Sequence, residues 1–133
     1  MNQKSRTLVF LLSIIVGLIN KFLVSFDNSN FFSLFMNCYF NDLVGCCGYC
    51  AYCDMSSVLF ISRELNPLCI IVITICSGFF WEYVTPLFRH DTVSDPMDIV
   101  AYSFGALVYL IIRCVANRSQ VSDRRGSEMN SNC

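Results

Sequence analysis

The order of apolar and polar residues divides the chain into four long apolar runs separated by short polar segments. Each run has about the length that a helix needs to cross a bilayer, which is roughly 20 residues. The runs cover approximately residues 7–26, 43–62, 67–88 and 97–115. Strands are much shorter than this. The pattern therefore predicts an all-α polytopic membrane protein that forms one four-helix transmembrane bundle.

The third and fourth runs begin at clear helix start signals. Asn66 precedes Pro67, and Asp95 precedes Pro96. Asn and Asp are favoured N-cap residues, and proline is favoured at the first helical position. We therefore predict that these two helices start at the two prolines.

The first run follows Lys4 and Arg6, an arrangement that secretory signal peptides share. No small-x-small cleavage site follows it, and apolar residues continue through "KFLVSF", residues 21–26. We interpret the run as the first membrane span, with the Lys21 side chain reaching to the interface.

Seven of the nine Lys and Arg residues lie in three regions: before the first run, between the second and third, and at the end of the chain, whereas Lys21 and Arg89 lie on the opposite side. The seven are Lys4, Arg6, Arg63, Arg113, Arg118, Arg124 and Arg125. Because basic flanks stay in the cytoplasm, both termini are predicted to be cytoplasmic. Residues 1–117 then form one domain in the cell membrane, and the polar residues 118–133 form a disordered cytoplasmic tail.

Composition agrees with a membrane protein, since 55% of the residues are hydrophobic, 14% are charged and the mean hydropathy is +0.54. The lipid bilayer is the predicted partner, and a homo-oligomer is possible. A net charge of -1 gives no basic field for nucleic acid. Most of the nine cysteines fall in apolar runs, where we interpret them as small buried residues. A soft-metal site is the alternative for Cys46, Cys50 and Cys53, which share one helical face.

Residues 79–107 gather many ionisable side chains for so apolar a chain. In the predicted topology this stretch is the end of one helix, an outer loop and the start of the next. Glu82 lies six residues before Phe88, about 9 Å inside the helix end. A carboxylate at that depth usually marks a proton, ion or ligand path, and a neutral, hydrogen-bonded acid is the structural alternative. A polar face that could meet Glu82 is predicted on the fourth helix from the spacing of Asp98, Tyr102, Gly105 and Tyr109.

The outer side of the predicted bundle offers oxygen ligands together with a guanidinium group. The candidate ligand-binding residues are Asn41, Asp42, Glu82, Arg89, Asp95, Asp98 and Tyr102. Such oxygens suit Mg²⁺ or Ca²⁺, for which Glu82 and Asp98 are the candidate ligands, while Arg89 suits a phosphate or carboxylate. Helix capping is the structural alternative for Asp95 and Asp98, and a solvated loop is the alternative for Arg89. No catalytic residues are predicted, because no GxSxG, HExxH or phosphate-loop motif is found.

Two further acids lie outside this stretch. Asp54, near the middle of the second span, has no evident partner, and its structural alternative is a protonated acid bonded to a neighbouring helix. Glu64 is interpreted as the partner of Arg63 in an interfacial pair of little energetic weight.

The order of Glu82, Arg89, Asp95, Asp98 and Gly105 resembles the VanZ-like family of small integral membrane proteins, some of which are linked to teicoplanin resistance. "MNCYFNDLV", "WEYVTPLF" and "TVSDPMDIVAYSFGAL" are also similar to small bacterial four-helix proteins labelled magnesium citrate secondary transporters. The chain departs from the VanZ-like pattern at Thr85 and Tyr102, where the family often has Gln and Asn. The resemblance implies these recurring positions: Asn37, Tyr39, Asn41, Asp42, Glu82, Pro86, Thr92, Asp95, Asp98, Tyr102 and Gly105.

Three functions are compatible with the sequence. The first is a membrane protein of the cell envelope whose outer acidic face binds an anionic lipid head group, a cell-wall precursor or a glycopeptide, with a divalent cation as a possible bridge. The second is a small secondary transporter in which Glu82 and Asp54 carry protons or coordinate an ion. The third is a membrane enzyme that acts on lipid-linked phosphates through a metal-activated water. The first makes the fewest demands on a chain of 133 residues.

Overall fold

A computed structural model describes residues 1–23, 31–88 and 96–131, together with their side chains except at positions 23, 31, 34, 37 and 121–131. All regular secondary structure in these residues is helical, which confirms the predicted all-α class. The helices are α1 (Gln3–Leu23), α2 (Phe31–Leu34), α3 (Phe40–Ile61), α4 (Pro67–Phe79), α5 (Thr85–Phe88) and α6 (Pro96–Ser131). Two π-helical segments, Phe35–Tyr39 and Phe80–Val84, join α2 to α3 and α4 to α5.

Four helical stretches are long and apolar enough to cross a membrane. They are Gln3–Phe22, Phe40–Ile61, Pro67–Phe88 and Pro96–Gln120. This confirms the number and the approximate positions of the spans that the apolar runs predict. The sidedness of the termini stays a prediction.

The start of the third span forms as the sequence predicts. The Asn66 side chain accepts a hydrogen bond from the Leu68 amide at 3.1 Å, and Pro67 occupies the first turn of α4. The last span begins at Pro96, also as predicted, while its expected cap Asp95 lies outside the described residues.

The end of the last helix differs from the prediction. The sequence indicates a span that ends near residue 115 and a disordered tail from residue 118, whereas α6 continues to Ser131. A helix that the membrane span has already nucleated gains one hydrogen bond for each residue added. Residues 118–131 contain no proline to stop it. Loss of apolar periodicity therefore marks the end of the span but not the end of the helix.

Helix α3 is the centre of the bundle, because it packs against α1 on one side and α6 on the other. Helix α4 packs mainly on α6 and touches α3 much less. The contact between α3 and α6 is close: a Cβ atom added at Gly105 would lie 2.9 Å from the Cys46 Cβ and would overlap the Leu43 carbonyl oxygen. This arrangement leaves a cleft between α3 and α4.

The cysteines divide into two groups. Cys46, Cys47 and Cys50 are buried in the centre of the bundle, in agreement with the prediction. Cys69, Cys76 and Cys114 are instead exposed on the surface of the bundle. These three lie on helices that can span a membrane; Cys69 and Cys114 face the side that lipid would cover, and Cys76 lines the cleft between α3 and α4.

Candidate functional site

A cleft of about 730 Å³ lies between α3 and α4. We call this the α3–α4 cleft. It is near the end of the bundle where α3 begins and α4 continues into α5, and this end is called the acidic end because it carries Asp42, Glu82 and Asp98. The lining residues are Asn41, Asp42, Gly45, Cys46, Tyr49, Thr74, Cys76, Ser77, Gly78, Phe80, Trp81 and Tyr102.

One of the three acids of this end contacts a tyrosine of the last helix. The Tyr102 hydroxyl donates a hydrogen bond of 3.5 Å to Glu82 Oε1. Asp42, Glu82 and Asp98 all lie within electrostatic range of that hydroxyl. Glu82 is only 5% exposed. Of the predicted polar face, Tyr102 contacts Glu82, whereas Gly105 packs against α3 and Tyr109 bonds to Asp54.

Both π-helical segments border this site. Glu82 lies within Phe80–Val84, and Asn41 and Asp42 lie in the first turn of α3, which follows Phe35–Tyr39. A π turn inserts one residue into a helix and is frequent at functional sites. It changes which side chains face the bundle after the insertion. No residue in either segment is a proline or glycine, so the sequence gives no local signal for them.

Asn41 has a structural contact besides its place in the cleft. Its amide oxygen accepts a hydrogen bond of 3.3 Å from Asn20 of α1, and Asn20 also donates to the Met36 carbonyl at 2.9 Å. Asn20 is buried. Sequence analysis missed Asn20, although an Asn inside an apolar run was a signal. Through Asn20, the first helix helps to hold the start of α3 in place.

The thiols nearest the cleft make contacts between helices. Cys46 donates to the Tyr102 carbonyl at 3.1 Å, and the Cys50 sulfur lies 3.3 Å from the Thr74 hydroxyl. These contacts join α3 to α6 and to α4. They favour a structural role for the cysteine face over a metal-binding one.

Some predicted site residues lie outside the described residues. These are Arg89 and Asp95, together with the neighbouring His90, Asp91 and Thr92. Within the described ranges, no group of three or more His, Cys, Asp or Glu side chains is arranged to hold a metal ion. The assignment of Glu82 and Asp98 as ligands of Mg²⁺ or Ca²⁺ stays a prediction.

A second polar cluster lies at the opposite end of the bundle, which we call the arginine end. At its centre is Asp54, which is 0% exposed. Its carboxylate accepts hydrogen bonds from Arg6 Nε at 3.0 Å, the Tyr109 hydroxyl at 2.7 Å and the Leu65 amide at 3.0 Å. Arg113 lies 3.6 Å away. Asp54 thus has partners on neighbouring helices, which the sequence did not reveal: Arg6 of α1 and Tyr109 of α6.

Glu64 belongs to the same cluster. It pairs with Arg6 and, at 2.9 Å, with Arg113. The prediction of an ion pair with Arg63 is corrected, because the chain turn at the end of α3 brings Glu64 toward α1 and α6. Arg113 also donates to the Leu65 carbonyl at 2.7 Å. The cluster therefore fastens α1, the α3–α4 turn and α6 together.

The lowered pKa of Glu64 leads to a prediction about how the stability of the protein depends on pH. Burial raises this pKa, but hydrogen bonds from Arg6, the N-terminal ammonium group and Arg113 outweigh burial and lower the value from 4.5 to about 2. The unfolded chain binds the proton more tightly, so the contribution of Glu64 to stability is complete above about pH 5 and is lost as the pH falls toward 2. We expect unfolding experiments at decreasing pH to show this loss in the native protein.

The matched variant for this test is Glu64→Gln, which cannot titrate. Its stability should already be lower at neutral pH and should fall less steeply below about pH 5. An equally steep fall in the variant would assign the acid sensitivity to other groups.

Comparison with models of known families, with curated proteins and with solved structures finds no match to this chain. The resemblance to the VanZ-like family therefore stays a prediction that rests on the quoted motifs.

Proposed function

We propose that this is an integral membrane protein that binds an amphipathic ligand in the α3–α4 cleft, with the polar head group of the ligand at the acidic end. The observation that carries the proposal is the composition of the cleft. Asn41, Asp42 and Tyr102 give the cleft polar groups at the acidic end. Phe80 and Trp81 give it large apolar surfaces.

The position of the cleft supports entry from the bilayer. Its walls belong to Phe40–Ile61 and Pro67–Phe88, which are both candidate membrane spans. Trp81 is 61% exposed and also lines the cleft. A molecule that already lies in the membrane can therefore reach the cleft between the two helices without crossing water.

The orientation of the protein in the cell membrane is part of the same proposal. With both termini in the cytoplasm, the acidic end faces the outside of the cell membrane. The expected ligands there are lipid head groups, cell-wall precursors or glycopeptides, in keeping with the VanZ-like resemblance. An anionic head group would need Mg²⁺ or Ca²⁺ as a bridge to the carboxylates.

Transport receives less support than binding. A transporter would use Asp54 as a proton or ion carrier, but this carboxylate is bonded to Arg6, Tyr109 and the Leu65 amide. Binding of a transported proton or ion to the Asp54 carboxylate would break the contacts that hold α1, the α3–α4 turn and α6 together. The geometry of Asp54 favours a role in stability.

Lipid retention tests the proposed function. We expect the protein, purified in a mild detergent, to keep one lipid-like molecule for each chain in native mass spectrometry. Ser77→Phe should remove it, because Ser77 lines the cleft and its hydroxyl lies 3.1 Å from that of Tyr49 across the two helices. The new ring would occupy the space of the ligand.

The control is Leu68→Phe, which places the same side chain on the exposed surface of α4. This variant should keep the bound molecule. Equal retention by both variants would mean that the lipid is held on the outer surface of the bundle, and the proposed function would be wrong.

A further inference from the structure

We propose that the α3–α4 cleft selects amphiphiles with a positively charged head group, an amine or a quaternary ammonium ion, and binds this group directly. The inference rests on the proposed function and names the class of ligand for the same site. It differs from the anionic head group that the sequence indicates, since that ligand needs a bridging metal ion.

The distribution of charge is the first support. Asp42 lines the cleft, and no lysine, arginine or histidine is among the described lining residues. The arginines Arg6 and Arg113 lie at the opposite end of the bundle, in ion pairs with Asp54 and Glu64. Asp42 therefore gives the described lining of the cleft one acidic group and no basic one, which favours a cation over an anion.

The aromatic side chains are the second support and are independent of the acids. Tyr49, Phe80, Trp81 and Tyr102 all line the cleft. The face of an aromatic ring carries partial negative charge, so it attracts an ammonium group, and tryptophan does so most strongly. Phosphate and sulfate groups gain nothing from such faces. A cleft with several rings and a carboxylate therefore matches the recognition of quaternary ammonium ligands.

The position of the cleft between two candidate membrane spans strengthens both the attraction to the carboxylate and the attraction to the aromatic rings. Its walls are membrane-spanning helices, and an electrostatic interaction that is removed from water is stronger than one in bulk solvent. A weakly hydrated ammonium head group loses less hydration there than a phosphate does. An alkyl chain attached to it can lie along the apolar part of the cleft.

Trp81 provides the measurement, because it is the only tryptophan of the chain and it lines the cleft. The protein is placed in nanodiscs of zwitterionic lipid and titrated with three probes that share a dodecyl chain: dodecyltrimethylammonium, uncharged dodecyl maltoside, and dodecyl phosphate with or without Mg²⁺. After correction for partitioning into empty nanodiscs, we expect the ammonium probe to change Trp81 emission at a concentration at least about tenfold lower than the other two.

Asp42→Asn should remove most of this preference and leave the response to dodecyl maltoside unchanged. Glu64→Gln is the matched control, since it removes one negative charge at the opposite end of the bundle and should keep the preference. Tyr49→Leu is a second test that keeps every carboxylate. It should weaken the ammonium probe more than the uncharged one, so the inference can still be tested if Asp42→Asn does not fold.

Each other result has a definite meaning. Equal binding of the ammonium and uncharged probes would overturn the inference and leave the proposed function standing. Tighter binding of dodecyl phosphate in Mg²⁺ would overturn it in favour of the metal-bridged anion. If no probe changes Trp81 emission, the proposed function itself fails together with the inference.

Discussion

Asp54→Ala is expected to lower the free energy of unfolding by about 3–5 kcal/mol, the range observed when one partner of a buried ion pair is removed. Asp54 is fully buried, and the variant leaves Arg6 and Arg113 without their central carboxylate. It also leaves the Tyr109 hydroxyl and the Leu65 amide without their acceptor. Most of the loss comes from groups that remain buried after their partner is gone.

The effect can be measured by unfolding the reconstituted protein with a denaturing detergent while following helix content. Glu64→Gln is a suitable comparison within the same cluster, because the Glu64 side chain is 41% exposed. Water can replace its contacts, so this variant should lose much less stability than Asp54→Ala. Similar losses in the two variants would contradict the central role of Asp54.

A third variant compares the removal of the whole group of buried charges with the removal of one partner alone. Replacing Arg6, Asp54 and Arg113 together by apolar residues of similar size removes the three buried charges at once and leaves the partly exposed Glu64. Buried ion pairs replaced in this way are often no less stable than before. We expect the triple variant to have a higher free energy of unfolding than Asp54→Ala. This result would show that Asp54→Ala loses stability mainly because it leaves the two arginines buried without their partner.

The fold was largely predictable from the sequence, and the reason is the bilayer. Backbone groups inside a membrane must bond within their own segment, so a long apolar run becomes a helix almost regardless of its neighbours. Start signals such as Asn66 and Pro67 then place the boundaries to within a few residues. The end of α6 was less predictable, since a polar sequence can continue a helix beyond the span.

Part of the candidate site could be predicted from the spacing of residues along the helices. Asp98 and Tyr102 are four residues apart on α6, so they share a face, and the preceding span brings Glu82 to the same end. The π-helical turns at Phe35–Tyr39 and Phe80–Val84 were not predictable, because nothing in their composition distinguishes them from the helices they join. Glu82 lies within the second of them, so its direction depends on that turn.

The arginine end shows the larger limit of sequence reasoning. Arg6, Asp54 and Arg113 are separated by 48 and 59 positions in the chain, and no local pattern connects them. Their charges were visible but their partners were not. Only the order of helices around α3 brings these side chains within bonding distance, which is why Asp54 had no evident partner in the sequence.

Gly105→Ala is expected to lower the free energy of unfolding by about 1–3 kcal/mol, the usual cost of adding volume to a close contact. The new Cβ would lie 2.9 Å from the Cys46 Cβ and 3.2 Å from the Cys47 nitrogen, and would overlap the Leu43 carbonyl oxygen. Backbone atoms cannot rotate out of the way as a flexible side chain does. Helices α3 and α6 must therefore separate to accommodate one methyl group.

Gly45→Ala is the matched control, because it is the same substitution on α3 and no atom lies within 4 Å of the added Cβ. Alanine favours a helix by up to about 1 kcal/mol over glycine, so this variant should be as stable as the native protein or slightly more stable. The same detergent unfolding assay compares the two. If Gly105→Ala were as stable as Gly45→Ala, the helices would not be held as closely as the structure places them.

Gly105→Ala should also weaken ligand binding in the α3–α4 cleft. Tyr102 is one turn before Gly105 on α6, and it lines the cleft together with Asp42 of α3. Separation of α3 from α6 would move the Tyr102 hydroxyl away from Asp42 and widen the polar end of the cleft. We therefore expect Gly105→Ala to weaken the response of Trp81 to dodecyltrimethylammonium even under conditions where the variant is fully folded.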